Sequence, residues 1–347
     1  MTSKLADPQR TVAAPVAHRR GDIPTRSVVA VLSPILVAAA ALAVHRYLPD
    51  EQLPPLSWLD TLPAWRQPYP VVLALVGAGT ILAAIAQAVV PLLRPIVRHF
   101  APLIAGATGV AIVWEFVTTK MNWLHQPFFP GPNEVFGAMV EDRVLLLESA
   151  WHSLQLLLAG YAVGVVAGLI TGILVGWFPR VRYWAMPALK FIGPIPATAL
   201  IPLVMTIWKD SFPCAVALIG FAVWFPMTIL TSSGIANVRL SYLDVARTLG
   251  AGRFYLIFRV AVPAALPNIF VGLFMGLGAS FLTLIVAETV GVQAGLGWYL
   301  KWQQGYMEYA KVYGTLILSA VFFSTLMTLL FKLRDRVLKW QKGVIKW

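Results

Sequence analysis

Eight stretches of the chain are apolar over close to twenty residues or more, about the length a helix needs to cross a bilayer. They run over 27–45, 70–93, 101–118, 149–177, 185–207, 214–232, 264–290 and 312–331. The first carries no charge from Ser27 to Val44. It is too long and too far from Met1 for a signal peptide, and no small-residue cleavage site follows it. The stretch 185–207 is interrupted by Lys190 and by Pro187, Pro194, Pro196 and Pro202, which makes it the least regular of the eight. Between these runs, 119–148 is a long polar segment in which 136–148 is expected to form a helix on the membrane surface. The segment 233–263 is much longer than the other internal loops on its side of the membrane, and loops of such length usually carry function.

Composition strengthens this reading. Apolar residues make up 59% and charged residues 12%, against about 25% charged in soluble domains, and the mean hydropathy is +0.74. The net charge of +12 would suggest nucleic acid in a soluble protein, but its distribution points to topology. With the N-terminus in the cytoplasm, loops on that side hold 19 of the 27 Lys and Arg. Loops on the other side hold 7, and Lys190 lies within a span. Acidic residues run the other way, so both termini are expected in the cytoplasm and nucleic acid is set aside as a partner. The expected organisation is a cytoplasmic tail 1–26, an additional transmembrane hairpin 27–100, a core 101–332 that includes 233–263, and a basic cytoplasmic tail 333–347. The outside loop of the hairpin is rich in Pro and Trp (Pro54, Pro55, Trp58, Pro63, Trp65) and shows no chemistry.

Within 233–263, Ser241 followed by Asp244 reads as a helix start. Gly250 suits the position just past a helix end, where positive φ is needed. A second helical stretch is expected from 251 to about 260, with Pro263 opening the next span. Helix, glycine hinge, helix is a shape that seats in a groove on a cytoplasmic partner, with Val245, Ala246 and Leu249 presenting small and apolar groups.

This segment resembles the cytoplasmic motif of permease subunits of binding-protein-dependent ABC importers: Glu-Ala-Ala, three residues, Gly, nine residues, then Ile-x-Leu-Pro. Asp244-Val245-Ala246 stands for the first three, Gly250 falls at its place, and Val260-Ala261-Val262-Pro263 closes the pattern. The likeness extends over about 101–340 and is greatest for the nitrate, sulfonate, taurine and bicarbonate group. Phe129-Pro130-Gly131-Pro132, His152-Ser153-Leu154 with Gly160, Pro194-Ile195-Pro196 with Ile201-Pro202-Leu203, Phe225-Pro226, and Ala287-Glu288 with Gly295-Leu296-Gly297 all fit that group. Two departures stand out. Leu156 replaces an Arg common there, and Trp208-Lys209-Asp210-Ser211 replaces a Gly-rich turn. The resemblance implies an all-α type I importer permease with a core of six transmembrane helices, and with the hairpin eight spans. Its partners would be ABC ATPase subunits, which bind ATP and Mg, a periplasmic or lipid-anchored solute-binding protein, and a second permease chain, expected as a homodimer in the bacterial inner membrane.

The ATPase-coupling residues are then Asp244, Val245, Ala246, Arg247, Thr248, Leu249, Gly250, Ala251 and Pro263. The pathway or gate candidates are His152, Ser153, Pro194, Pro196, Pro202 and Glu288. Glu288 is a carboxylate inside a span, which faces a cavity or a partner; capping or pairing at the outer interface is the plainer role for it. His152 with Ser153 is expected as a hydrogen-bonded pair. Five scattered His and the single Cys214 argue against a metal site. No Gly-x-x-x-x-Gly-Lys-Ser/Thr loop occurs, so no ATP hydrolysis by this chain is expected, and no nucleophile–base constellation marks an enzyme. An ion-gradient-driven transporter would want ionisable relays at mid-span, in which the chain is poor. A non-transporting scaffold would not need the spacing of 244–263.

Overall fold

A computed structural model of the protein describes residues 24–50, 67–208, 210–290 and 292–341. Most of the N-terminal tail, the Pro- and Trp-rich loop from Pro54 to Trp65, and the end of the basic tail lie outside the described residues. The described residues are helical throughout, with no strand. Among the described residues seven helices are long and apolar enough to span a membrane, and there are eight if the broken pair Pro179–Ile192 and Ala197–Ile207, bent by 85°, is counted as one span. The chain divides into two compact units, 1–123 and 124–347.

The first unit holds α1 (Pro24–Tyr47), α2 (Pro68–Val89) and α3 (Arg94–Glu115), with a π turn over Phe116–Lys120. Ala38 and Ala41 are fully buried on α1, as Tyr69 and Leu73 are on α2. The apolar interior ends in a polar cluster. His45 Nδ1 lies 2.6 Å from Glu115 Oε1, and the Tyr69 hydroxyl faces the same carboxylate. Lys120 Nζ donates to the His45 carbonyl at 3.1 Å, the Leu48 carbonyl at 2.8 Å and Asp50 Oδ1 at 2.6 Å. The ammonium thus caps the open carbonyls at the end of α1.

The second unit holds α4 (Pro132–Glu141), α5 (Arg143–Trp177), α6 (Pro179–Ile192), α7 (Ile201–Ile207), α8 (Ser211–Ala236), α9 (Leu240–Thr248), α10 (Arg253–Tyr255), α11 (Val262–Val290), α12 (Leu296–Gly305) and α13 (Tyr309–Val337). The helix expected over 136–148 is instead α4, with Pro132 at its first turn. Residues from Arg143 onward already belong to the long α5. α5 and α8 pack along a seam of glycines four apart, Gly160, Gly164, Gly168, Gly172 and Gly176. A Cβ on Gly164 would sit 2.5 Å from the Gly220 carbonyl, and one on Gly168 2.5 Å from Met227 Cβ. Only hydrogen atoms fit there, and the two backbones close on each other as small-residue faces do in membranes. Leu156, Leu157, Leu218, Ile219, Val223 and Leu284 form the interior that α5 and α8 share with α11.

Two expectations need correction. The run 185–207 is not one helix. Gly193 ends α6, and Pro194 and Pro196 hold the chain out of helical geometry until the short 3-10 turn Ala197–Leu200. Pro263 does not open a span either, because a continuous helix runs from Arg253 to Val290. A π turn over Leu256–Ala261 precedes Pro263. It relieves the clash of the proline ring with the carbonyl four residues back, at Arg259.

Candidate functional site

The segment between α8 and α11 is built from its own capping chemistry. α9 begins at Leu240 after Arg239, which is extended and makes no side-chain cap. Ser241 is therefore inside the helix and does not cap it, and Asp244 serves another bond: its carboxylate accepts from Arg247 at 3.0 Å. The far end of α9 is closed as a Schellman motif. The Gly250 N–H donates to the Arg247 carbonyl at 2.9 Å and the Ala251 N–H to the Ala246 carbonyl at 3.0 Å. Gly250 sits at φ +85°, where a side chain is strained whatever space surrounds it. Thr248 Oγ1 returns its proton to the Val245 carbonyl at 2.8 Å.

Leu243 is the buried side of α9, turned toward the π turn before α11. On the other side Val245 is 61% exposed and Leu249 82%, with Ala246 half-buried between them. Phe254, on the next helix, is 77% exposed. These are large apolar groups without cover, grouped on one short segment. Beneath α9 lies a cavity of about 590 Å³ lined by Trp177, Phe178, Leu243, Arg247 and Leu256. Phe254 lies outside the motif residues; an aromatic directly after Arg253, at the start of the helix that follows Gly250, is the signal that marks it.

The bend between α6 and α7 makes the second candidate. Pro194, Pro196 and Pro202 are all exposed. Pro196 lines a cavity of about 400 Å³ together with Thr198, Phe221, Phe225, Met275 and Thr283. No charged side chain lines it. The Phe225 ring packs so closely on Gly193 that a Cβ there would lie 2.2 Å from it, so the bend is shaped by α8.

Glu288 and Ser153 are brought together but not into a cavity. Both are fully buried. Ser153 Oγ donates to Glu288 Oε1 at 2.6 Å, and the Gly297 N–H donates to Glu288 Oε2 at 2.7 Å. Ser153 Oγ in turn accepts the Leu296 N–H at 2.9 Å. These are the first free N–H groups of α12, so residues of α5 and α11 cap a third helix. Gly295, at φ +108°, lets the chain turn against the carboxylate. His152 takes no part: it is exposed while Ser153 is buried. The expected His152–Ser153 pair is thus corrected, because neighbours on a helix point about 100° apart.

The far side of α12 is tied as well. The Tyr299 hydroxyl donates to Asp142 Oδ2 at 2.6 Å, and Lys311 Nζ meets the same atom at 3.1 Å. Burial and the Asp142 carboxylate push the Tyr299 phenol pKa upward, so the hydroxyl stays a donor. Among the described residues no three metal-ligating side chains come together.

Residues 164–341 match the family described as binding-protein-dependent transport system inner membrane component. The chain belongs to this family. As a member it is the permease subunit of an ABC importer. It is 31% identical to the putative aliphatic sulfonates transport permease protein SsuC of Bacillus subtilis, over 53% of this chain and 67% of that one. It is 27% identical to the bicarbonate transport system permease protein CmpB of Synechococcus elongatus, over 70% of this chain and 88% of that one. Among solved structures, a chain of the MetNI methionine ABC transporter in inward-facing conformations aligns at 18% identity and a TM-score of 0.49, covering 57% of this permease and 97% of that chain.

Proposed function

We propose that this permease moves a small anionic solute (nitrate, a sulfonate, bicarbonate or an organic carboxylate) into the cell, driven by ATP hydrolysis in ATPase subunits that dock on α9. One observation carries the reading. α9 is a short helix stopped by Gly250 at φ +85°, with Val245 and Leu249 uncovered beside Phe254. Such a face costs free energy in water and is stabilised by an apolar groove on a partner. The solute class is supported by the relatives named for sulfonates and bicarbonate.

Two copies of the chain form the pathway as a homodimer, with both termini in the cytoplasm, and a solute-binding protein delivers from the outside. The partner ATPases hold ATP and Mg. The cavity at the α6–α7 bend offers hydroxyls and exposed backbone but no fixed charge. An anion therefore passes it without being trapped, and selection lies with the binding protein. Glu288 does not meet the solute, since like charges repel and its oxygens are engaged by Ser153 and Gly297. It braces the outer face.

The experiment is reconstitution in vesicles with the ATPase and binding protein. Ala246→Trp and Gly250→Val insert normally but lose ATPase pull-down and binding-protein-stimulated hydrolysis. Wild-type docking, hydrolysis and uptake in both variants would overturn the coupling role of α9.

A further inference from the structure

In the first unit a groove of about 360 Å³ opens between α1, α2 and the start of α3. Its floor is apolar: Val31 and Leu32 form one wall, and Ala84 and Ala88, one turn apart on α2, leave room opposite them. Its mouth is cationic. Arg94 and Arg98 are four residues apart on α3 and share a helix face. Arg94 Nε donates to the Gln87 carbonyl at 3.1 Å, which holds the guanidinium at the end of α2. Neither Arg meets a carboxylate among the described residues. The first unit's described acids are Asp50, paired with Lys120, and Glu115, paired with His45. Ile85, Leu92 and Ile96, close in sequence to the lining residues, are all more than half exposed, as side chains facing acyl chains are.

We propose that this groove binds one anionic phospholipid, with its phosphate between Arg94 and Arg98 and an acyl chain along Ala84 and Ala88. Two guanidinium groups match a phosphate in charge and in the geometry of their donors. A free phosphate would use the mouth and leave the apolar floor empty. A zwitterionic lipid would fit the floor but bring a cation to a dicationic mouth. An acidic headgroup satisfies both ends, as in the basic interhelical pockets that hold acidic lipids.

The test uses the full-length chain in detergent, titrated with dioleoylphosphatidylglycerol or dioleoylphosphatidylcholine and read by native mass spectrometry. The wild type retains phosphatidylglycerol over phosphatidylcholine by a factor on the order of ten. Arg94→Gln with Arg98→Gln abolishes the preference, while Arg94→Lys with Arg98→Lys keeps most of it. Ala84→Leu with Ala88→Leu fills the floor and lowers phosphatidylglycerol retention with both cations intact. Equal retention of the two lipids by the wild type would overturn the proposal. So would displacement of bound phosphatidylglycerol by millimolar inorganic phosphate together with no effect of Ala84→Leu and Ala88→Leu, which would mark a free-anion site.

Discussion

A carboxylate buried in a membrane protein persists only if its oxygens are occupied, and Glu288 shows how few partners suffice. One oxygen takes the Ser153 hydroxyl and the other the Gly297 N–H. An amide in its place can accept only one of these and presents donors to the other. Glu288→Gln is expected to destabilise the protein by about 1–3 kcal/mol, the cost of an unmade buried hydrogen bond, measured as thermal unfolding in detergent. Unchanged unfolding would show that the bracing is not energetic. Gly250 offers a contrast, because a Cβ there meets no atom within 4 Å. Its constraint is φ +85° alone. Asn tolerates that region and a β-branched residue does not. Gly250→Asn should therefore keep ATPase-stimulated uptake near wild type, while Gly250→Val loses it. Equal loss in both would point to a need for the bare surface of glycine at the docking face. The Gly250 turn was readable in the sequence because the residue and its job are the same position. The Glu288 network was not, since Ser153 lies 135 residues away and nothing local in either segment announces the other.

Among the elements, those legible in the sequence are the ones whose signal is carried within a single run. Seven spans follow from hydropathy over about twenty residues. The prolines at 187–202 marked the irregular span, but its bend of 85° depends also on Phe225 packing against Gly193, a tertiary contact. The glycine seam is present in the sequence as Gly160, Gly164, Gly168, Gly172 and Gly176, but the spacing alone does not name the helix it packs on. Its partners on α8, Ile219, Val223, Met227, Thr231 and Ile235, are also four apart, but they differ in residue type and so carry no compositional mark of their own. The seam makes a sharp prediction. Gly164→Val places a side chain 2.5 Å from a backbone carbonyl. Backbone cannot step aside as a flexible side chain can, so the cost should reach or exceed the ~1–3 kcal/mol of an overpacked core. Gly278 on α11 has no atom within 4 Å of its would-be Cβ. Gly278→Ala should be neutral or stabilising by up to about 1 kcal/mol through helix propensity. Thermal unfolding of the pair in one detergent separates a packing requirement from a general dislike of change in spans; similar losses in both would refute the seam.

At the scale of the whole molecule, the N-terminal hairpin is bound into its own unit by polar chemistry as well as by apolar packing. Glu115 and Lys120, at the end of α3 and in the π turn after it, are buried. Their partners His45 and Asp50 sit at or just past the end of α1. The family match covers 164–341, so nothing in it requires these four residues. A deletion of 1–95 made to ask whether the hairpin is needed for transport would therefore ask a second question by accident. It strands a buried carboxylate and a buried ammonium away from the groups that satisfy them, and a buried charge left without a partner is destabilising. The expected result is that the simple deletion yields little monodisperse protein. The same deletion with Glu115→Gln and Lys120→Met should recover yield and thermal stability, because the stranded charges are gone. Uptake measured on the recovered form then reports on the hairpin itself, and survival of transport there would place the hairpin outside the pathway. If instead the simple deletion matched the full-length chain in yield and unfolding temperature, the His45–Glu115 and Asp50–Lys120 contacts would contribute nothing to stability.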